Sequence, residues 1–393
     1  VVVTDELKVL AIGHDGGRQG APRILHDSLR WMLEHTSYSF SVVLHHDGPM
    51  RRDFERLVST TVLNPYHGSS RTVARILRRL VPPERLDRML ARRWIRKFHP
   101  GDADVVWVNS VASWRAGQLV VPTAVPKVLH VHELEWAINR IGPQAGTLGS
   151  AATAFVAASQ AVKDNLVRRH GIDPTRITVV YSSIQARSPV SLPTERRRSG
   201  RSGLGVAEEG LLLVGCGRAS QRKGVDLLPE IMRILRIDRG LTTARLLWIG
   251  QVSSQLQAAV CSECDRLGVA GSVEFLGEVD DPLTWMALGD IFVLPSREEP
   301  LGLVCLEAAL CGLPTVCFEA AEGAVEFVGN DAGRSVAPLE PAAMAHAVVE
   351  LAASAELRSE LAACGRSKIN ATFNLDRQTP VLAEILRRVG GHP

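Results

Sequence analysis

Long apolar runs are missing from this 393-residue sequence. None approaches the roughly 20 residues that a membrane-spanning helix needs, so a helical integral membrane protein is not expected. Aromatic residues are scarce, at 5% with only three tyrosines, and no block interleaves them with basic residues as a base-stacking surface would. With a net charge of only +3, a nucleic-acid partner is not expected either. Cysteine is absent before Cys216, and the seven from there on form an odd, one-sided set. That excludes a disulfide framework and points to a reducing, cytoplasmic setting. Cys261 and Cys264 lack a second ligand pair for zinc, and their spacing fits two residues on one buried helix face. The N-terminal VVVTDELKVL carries acid early and no basic leader, so no signal peptide is expected. There is no short-period repeat, and without a Gly-x-Ser-x-Gly an α/β-hydrolase is disfavoured.

What is present is an ordinary globular balance, 46% hydrophobic and 22% charged, over a length that suits about two domains. Short β-branched runs alternate with helical stretches. LKVLAIGH (7–14), FSVVLHH (40–46), DVVWVNS (104–110), PKVLHVH (126–132) and AFVAAS (154–159) read as strands; 24–35 and 161–171 read as helices, the second stopped by Gly171. SLPTERRRSGRSG (191–203) has no apolar period and reads as a linker or loop. The alternation then restarts with strands at 211–217, 245–250, 272–277, 290–296 and 314–318. The pattern predicts an α/β chain with two doubly wound parallel sheets, whose ligands bind at the carboxyl ends of the strands. Residues 71–98 hold ten basic and two acidic side chains among Ile76, Leu77, Leu80, Leu86, Met89, Leu90 and Ile95, and Pro82-Pro83 splits them into two short helices. Such a pair either packs an apolar stripe on the core or lies on an anionic membrane surface.

Two segments carry chemistry. In REEPLGLVCLEAALCGLP (297–314), seven residues separate Glu299 from Glu307. The pattern places Glu299 in a loop after a strand, a helix N-terminus from Gly302 onward, and Glu307 more than a turn inside it. The free N–H groups of Leu301, Gly302 and Leu303 then form an anion-binding helix start, and each carboxylate is suited to accept from a vicinal diol. In GCGRASQRKGVDLL (215–228), Gly217 follows a strand, Arg218, Arg222 and Lys223 supply positive charge, and Gly224 precedes the next helix. Ser220 stands where a dinucleotide fingerprint needs its third glycine, which disfavours a nicotinamide oxidoreductase. Arg218 and Lys223 suit a diphosphate, Arg by bidentate bonds and Lys as a point charge.

EPLGLVCLE, the GR…KG loop at 217–224, VEFLGEV (273–279), LGDIFVLPS (288–296) and EGAVEFV (322–328) resemble glycosyltransferase family 4, the retaining group with the GT-B fold. So do DGGRQGAPR (15–23), HVHE (130–133) and VAASQAVKDNLVRRHGIDPTRITVVY (156–181) in the first half. The resemblance implies two Rossmann-like domains facing across a cleft: an acceptor-side domain over 1–187, a nucleotide-sugar donor domain over 188–370, and a C-terminal helix over 371–393 packing back on the first. It implies that Arg218 and Lys223 hold a nucleotide diphosphate, with Arg222 in the same donor site, and that Glu299 faces the donor sugar. Glu307 then bonds the ribose, and the backbone at Gly277, Glu278 and Val279 lies by the base. Gly20 approaches the phosphate, Gly217 shapes its loop, and His132 lies over the sugar.

One departure stands out: where the family has Asn-Gly-x-Asp after VVY, this chain has Ser182-Ser183-Ile184-Gln185. It keeps open an inactive nucleotide-sugar binding paralogue or partner subunit, beside a GT-B-fold epimerase. Asp102-Ala103-Asp104 imitates a metal-binding Asp-x-Asp but precedes a first-half strand and reads as a turn; His45-His46-Asp47 reads as a strand end. The expectation is a metal-independent retaining glycosyltransferase. It needs no cofactor, uses a UDP- or GDP-sugar as co-substrate, and has a glycan, lipid-linked or small-molecule acceptor. Peripheral contact with the inner membrane face would run through 71–98.

Overall fold

The structure, a computed structural model, describes residues 6–18, 20–64, 83–98, 102–122, 124–141, 148–150, 152–185, 188–207 and 209–392. The chain falls into two compact units, residues 1–185 with 374–393, and residues 186–373.

The first unit holds seven strands: β1 (Lys8–Gly13), β2 (Ser39–His46), β3 (Ser59–Asn64), β4 (Val105–Asn109), β5 (Lys127–Val131), β6 (Ala154–Ala157) and β7 (Ile177–Val179). All pair in parallel, in the order β3-β2-β1-β4-β5-β6-β7. Every residue of β4 and β5 is buried, as expected of strands covered on both faces. One face packs against α1 (Gly20–His35), α2 (Arg51–Leu57) and the C-terminal helix Leu375–Val389, through Leu25, Leu29, Phe54, Leu382 and Leu386. The other packs against α3 (Pro83–Phe98), α4 (Trp114–Val120), α5 (Glu135–Ile141) and α6 (Gln160–His170), through Trp94, Val120, Ile138 and Leu166. α6 starts where Ser159 caps the Val162 N–H, and it stops at Gly171, the stop that the sequence indicates. The C-terminal helix is tied in by Trp31 Nε1 donating to Asp376 (2.8 Å) and Tyr181 N donating to Gln378 (2.9 Å). Of the basic segment, 71–82 lies outside the described residues, including the break expected at Pro82. In α3, Ala91 and Trp94 are buried while Arg85, Arg88, Met89 and Arg92 are exposed. No helix among the described residues is long and apolar enough to cross a membrane.

The second unit holds β8 (Leu212–Cys216), β9 (Arg245–Ile249), β10 (Val273–Gly277), β11 (Ile291–Leu294), β12 (Thr315–Phe318) and β13 (Gly333–Val336), in the parallel order β10-β9-β8-β11-β12-β13. Its helices are α7 (Thr194–Gly203), α8 (Leu228–Arg233), α9 (Ser254–Arg266), α10 (Pro282–Met286), α11 (Leu303–Leu310), α12 (Glu322–Val328), α13 (Pro341–Ala353) and α14 (Ala355–Ala371). α7 corrects the reading of 191–203 as a loop. Its sequence has no apolar stripe because it is anchored by charge: buried Arg201 and neighbouring Arg197 both bond Asp290, at 3.0 and 2.8 Å, and Asp290 also caps the Leu212 N–H. On α9, Cys264 is buried but Cys261 is exposed, so the shared buried face expected of the pair applies only to Cys264. Asp104 sits in a turn, accepting from Lys8 N at 2.8 Å.

Candidate active site

β8 and β11 are adjacent although two strands separate them in sequence, so their carboxyl ends flank the point where the strand order reverses. In open parallel sheets that is where ligands bind. The loop after β8 brings Arg218, Arg222 and Lys223; the loop after β11 brings Ser296 and Glu299. Lys223 Nζ meets Glu299 Oε2 at 2.5 Å, Arg222 Nη1 lies 3.6 Å from the same oxygen, and Ser296 Oγ donates to it at 3.4 Å. Lys223 and Glu299 are 8% and 6% exposed. Burial pushes the Glu299 carboxyl up, but Lys223 and Arg222 outweigh it and hold the group below the usual range. Glu299 Oε1 takes no bond from the described residues. Lys223 has three N–H donors and spends one on Glu299. The loops are further locked by Arg297, which donates its N–H to Arg222 O at 2.8 Å and forks onto Asp226 at 2.7 and 2.8 Å.

Gly224 follows Lys223 at φ +70°, and a Cβ there would sit 1.8 Å from Pro295 O. Only glycine lets the β8 loop press this close to the β11 loop, and that approach sets the Lys223–Glu299 distance. Arg218 is exposed and has no hydrogen-bond or ion-pair partner among the described residues. Gly217 N donates to Ile249 O and Gly250 N to Gly277 O, both at 2.8 Å, so the turns after β8, β9 and β10 stack. Gly277 and Val279 leave β10 beside this stack half-buried, with Glu278 exposed between them.

The helix start differs from the sequence reading in one respect. α11 begins at Leu303, and Gly302 precedes it in a left-handed conformation (φ +79°) that is not helical. Leu301 and Gly302 therefore belong to the approach and only Leu303 to the first turn. None of the three N–H groups has a backbone acceptor among the described residues, and no side chain caps the helix. Glu307 lies inside α11 and is 4% exposed.

In the first unit the corresponding reversal lies between β1 and β4. Gly20 is the first residue of α1 and is exposed. His132 follows β5, with Nε2 2.9 Å from Asn109 Oδ1. Its ring lies 4.0 Å, centroid to centroid, from His130. Burial, reinforced by His130 and His14, holds His132 well below the ordinary histidine range; burial alone lowers His130 to about 3. Glu133, 9% exposed, ties the turn together, accepting from Ser110 Oγ, from Val111 N at 3.2 Å and from His132 N at 2.9 Å. Asn109, Ser110 and the role of Glu133 were not drawn from the sequence. The available signal was a pair of polar residues ending the apolar strand DVVWVNS at the sheet's reversal point. Ser182 and Ser183 are buried, and Ser182 N bonds Ala158 O at 3.0 Å.

Residues 33–187 match the family described as Glycosyltransferase Family 4, and residues 210–354 match Glycosyl transferases group 1. The D-inositol 3-phosphate glycosyltransferase 1 of Catenulispora acidiphila is 29% identical over 263 residues, 60% of this chain and 62% of that one. The D-inositol 3-phosphate glycosyltransferase of Jonesia denitrificans is 28% identical over 68% of each chain. The chain thus spans less than two thirds of the first relative's length. Among solved structures, Anabaena Alr3699/HepE in complex with UDP and glucose superposes with a TM-score of 0.77 at 21% identity, covering 98% of this chain and 100% of that one. Sucrose-phosphate synthase from Thermosynechococcus elongatus superposes at 0.76 with 16% identity, covering 99% and 100%. Two sheets of Rossmann-like order, each lying under one of two glycosyltransferase family matches, establish that this chain belongs to the GT-B-fold glycosyltransferases of family 4.

Proposed function

We propose that the protein is a retaining glycosyltransferase that moves a sugar from a nucleoside-diphosphate sugar to an acceptor hydroxyl. The observation that carries this is the convergence of Lys223 and Arg222 on Glu299 beside the open start of α11, at the reversal point of the second sheet. The two Lys223 N–H groups not spent on Glu299, Arg218, which has no partner among the described residues, and the N–H groups of Leu301, Gly302 and Leu303 grip the diphosphate. Glu307 bonds the ribose diol, and the turn at Gly277, Glu278 and Val279 borders the base. Glu299 Oε1 faces the donor sugar; in the first unit, the family resemblance assigns His132 to the sugar and Gly20 to the phosphate.

As the sugar C1–O bond breaks, charge grows on the leaving phosphate, where these fixed donors stabilise it without reorganising. The acceptor oxygen bonds C1 on the face the phosphate leaves, and the acceptor proton passes to the departing phosphate oxygen. Glu299 is a poor covalent nucleophile, because Lys223 and Arg222 hold its carboxylate below the usual range and so make it less basic. The cations supply the charge that a metal would, so EDTA leaves the rate unchanged. The acceptor is a polyol, a small molecule or a lipid-linked glycan; the names of the relatives make an inositol phosphate the first to try. The exposed Arg85, Arg88 and Arg92 with Met89 on α3 support contact with anionic membranes, which vesicle co-sedimentation at low salt tests.

The central experiment assays Arg218→Ala and Lys223→Ala. Each is expected to lower transfer roughly 10²–10³-fold, by comparison with loss of one oxyanion donor, with the fold retained. Wild-type turnover in both overturns the reading. Thermal-shift screening against UDP-, GDP-, ADP- and dTDP-sugars identifies the donor, since a ligand at 100 times its Kd adds about 2.7 kcal/mol of stability. Tight donor binding with neither transfer nor donor conversion would instead mark a binding paralogue, and a sugar trapped on Glu299 would replace the same-face mechanism.

A further inference from the structure

Asn109 is the last residue of β4 and is fully buried. Its side chain has two bonds. Nδ2 donates to Ala21 O at 2.9 Å, in the first turn of α1. That fixes which end of the amide is the carbonyl, so Oδ1 is the atom 2.9 Å from His132 Nε2. A carbonyl oxygen only accepts, and Nε2 must therefore carry a proton. The second nitrogen of the ring, Nδ1, is buried and has no hydrogen-bond partner among the described residues. The groups that face the ring are His130 from β5, His14 from the turn after β1, and Glu133. His14 leans on Asp15 at 3.4 Å, and the Glu133 carboxylate is committed to Ser110 and to backbone N–H groups. None of these gives Nδ1 a proton or a hydrogen bond.

We infer that Asn109 is a positioning residue that, anchored on Ala21, locks His132 in its neutral Nε2–H form and leaves Nδ1 as the ring's one acceptor. A hydroxyl that reaches this ring then finds an acceptor and no proton donor, and an acceptor without a protein donor is one whose desolvation a ligand hydroxyl relieves. The class of group recognised is a sugar hydroxyl. That last step rests on the reading above that His132 faces the donor sugar; the tautomer does not.

The test is a long-range ¹H–¹⁵N spectrum of the full chain with ¹⁵N-histidine, His132 being assigned by its loss in His132→Gln. The expected wild-type signal is neutral with the proton on Nε2 from pH 7.5 down to 5.5; a proton on Nδ1, or an imidazolium at pH 7, overturns the inference. Asn109→Asp keeps the acceptor and adds a charge, which favours the imidazolium. Its transfer rate is expected to gain an acid limb falling tenfold per pH unit, absent from the wild type. A merely structural role for Asn109 predicts an unchanged profile, and that result also overturns the inference. Asn109→Leu removes the acceptor and is expected to lower kcat about tenfold, as loss of an orienting partner does; if it fails to fold, the wild-type spectrum and the Asp profile still decide. If the spectrum is as expected and His132→Ala transfers sugar at the wild-type rate, the placement of His132 at the sugar falls and the tautomer lock stands.

Discussion

Replacing Lys223 with Met tests the arrangement on which the proposed diphosphate grip depends. The change keeps the length of the side chain and deletes its charge, leaving Glu299 ionised in a site where it is 6% exposed. Removing one partner of a buried pair costs about 3–5 kcal/mol. Arg222 stays 3.6 Å from the same carboxylate oxygen and takes up part of the loss, so about 3 kcal/mol is expected from the second unit. Glu299→Gln leaves Lys223 and Arg222 together without their counter-charge and is also costly. The double variant removes both problems and should cost about 2 kcal/mol less than the sum of the singles. The pH dependence gives a second, sign-specific check. In the wild type Lys223 and Arg222 hold Glu299 below its unfolded value, so its contribution is present above that value and lost as the pH falls through the lowered one. In Lys223→Met burial is opposed only by Arg222 and the Ser296 hydroxyl, and the Glu299 value rises. The deficit relative to wild type should therefore be largest at pH 7 and shrink toward pH 4, by about 1.4 kcal/mol for each unit of difference. Because the chain has two compact units, the assay is hydrogen exchange of the β8 and β11 segments under urea, which reads the second unit separately. A coupling below about 0.5 kcal/mol, or a deficit that does not change with pH, refutes the reasoning.

Gly224→Ala, at φ +70° with its Cβ 1.8 Å from Pro295 O, should cost about 3 kcal/mol or more and weaken donor binding; a melting temperature within a degree of wild type counts against the close approach of the two loops. Neutral His130 and His132 make the first unit acid-labile. Both are held below the unfolded value, so the unfolded chain binds more protons, and stability falls with pH below about 6.5 at about 1.4 kcal/mol per unit for each ring. Hydrogen exchange of β4 and β5 between pH 7 and 5 measures that slope, and His130→Leu should halve it. Asp290→Ala strands Arg201, buried at 6% exposure, and should cost about 3 kcal/mol with loss of α7. Circular dichroism and exchange over 194–203 check it, and an α7 that stays protected would show that its charge anchor is dispensable.

Local order was legible wherever burial leaves a short-range period. VVWV and LLLV read as strands, Gly171 reads as the stop of α6, and the Glu299–Glu307 segment falls as expected into a loop followed by a helix. Those features depend on residues a few positions apart, and a sequence carries them directly. Sheet order is different. Lys223 meets Glu299 from 76 residues away only because β8 and β11 are neighbours. Asn109 meets His132 across 23 residues because β4 pairs with β5. α7 is helical because Arg197 and Arg201 find Asp290 some 90 positions on, a stabilisation with no apolar stripe to announce it. The break at Gly302 is set by backbone dihedrals that its neighbours in sequence do not fix. Composition and periodicity thus determined the strands and helices that bury an apolar face, and which loops hold charge. Which charges meet, and which proton His132 carries, was decided by strand adjacency, because pairing and desolvation act through space between residues that the sequence keeps far apart.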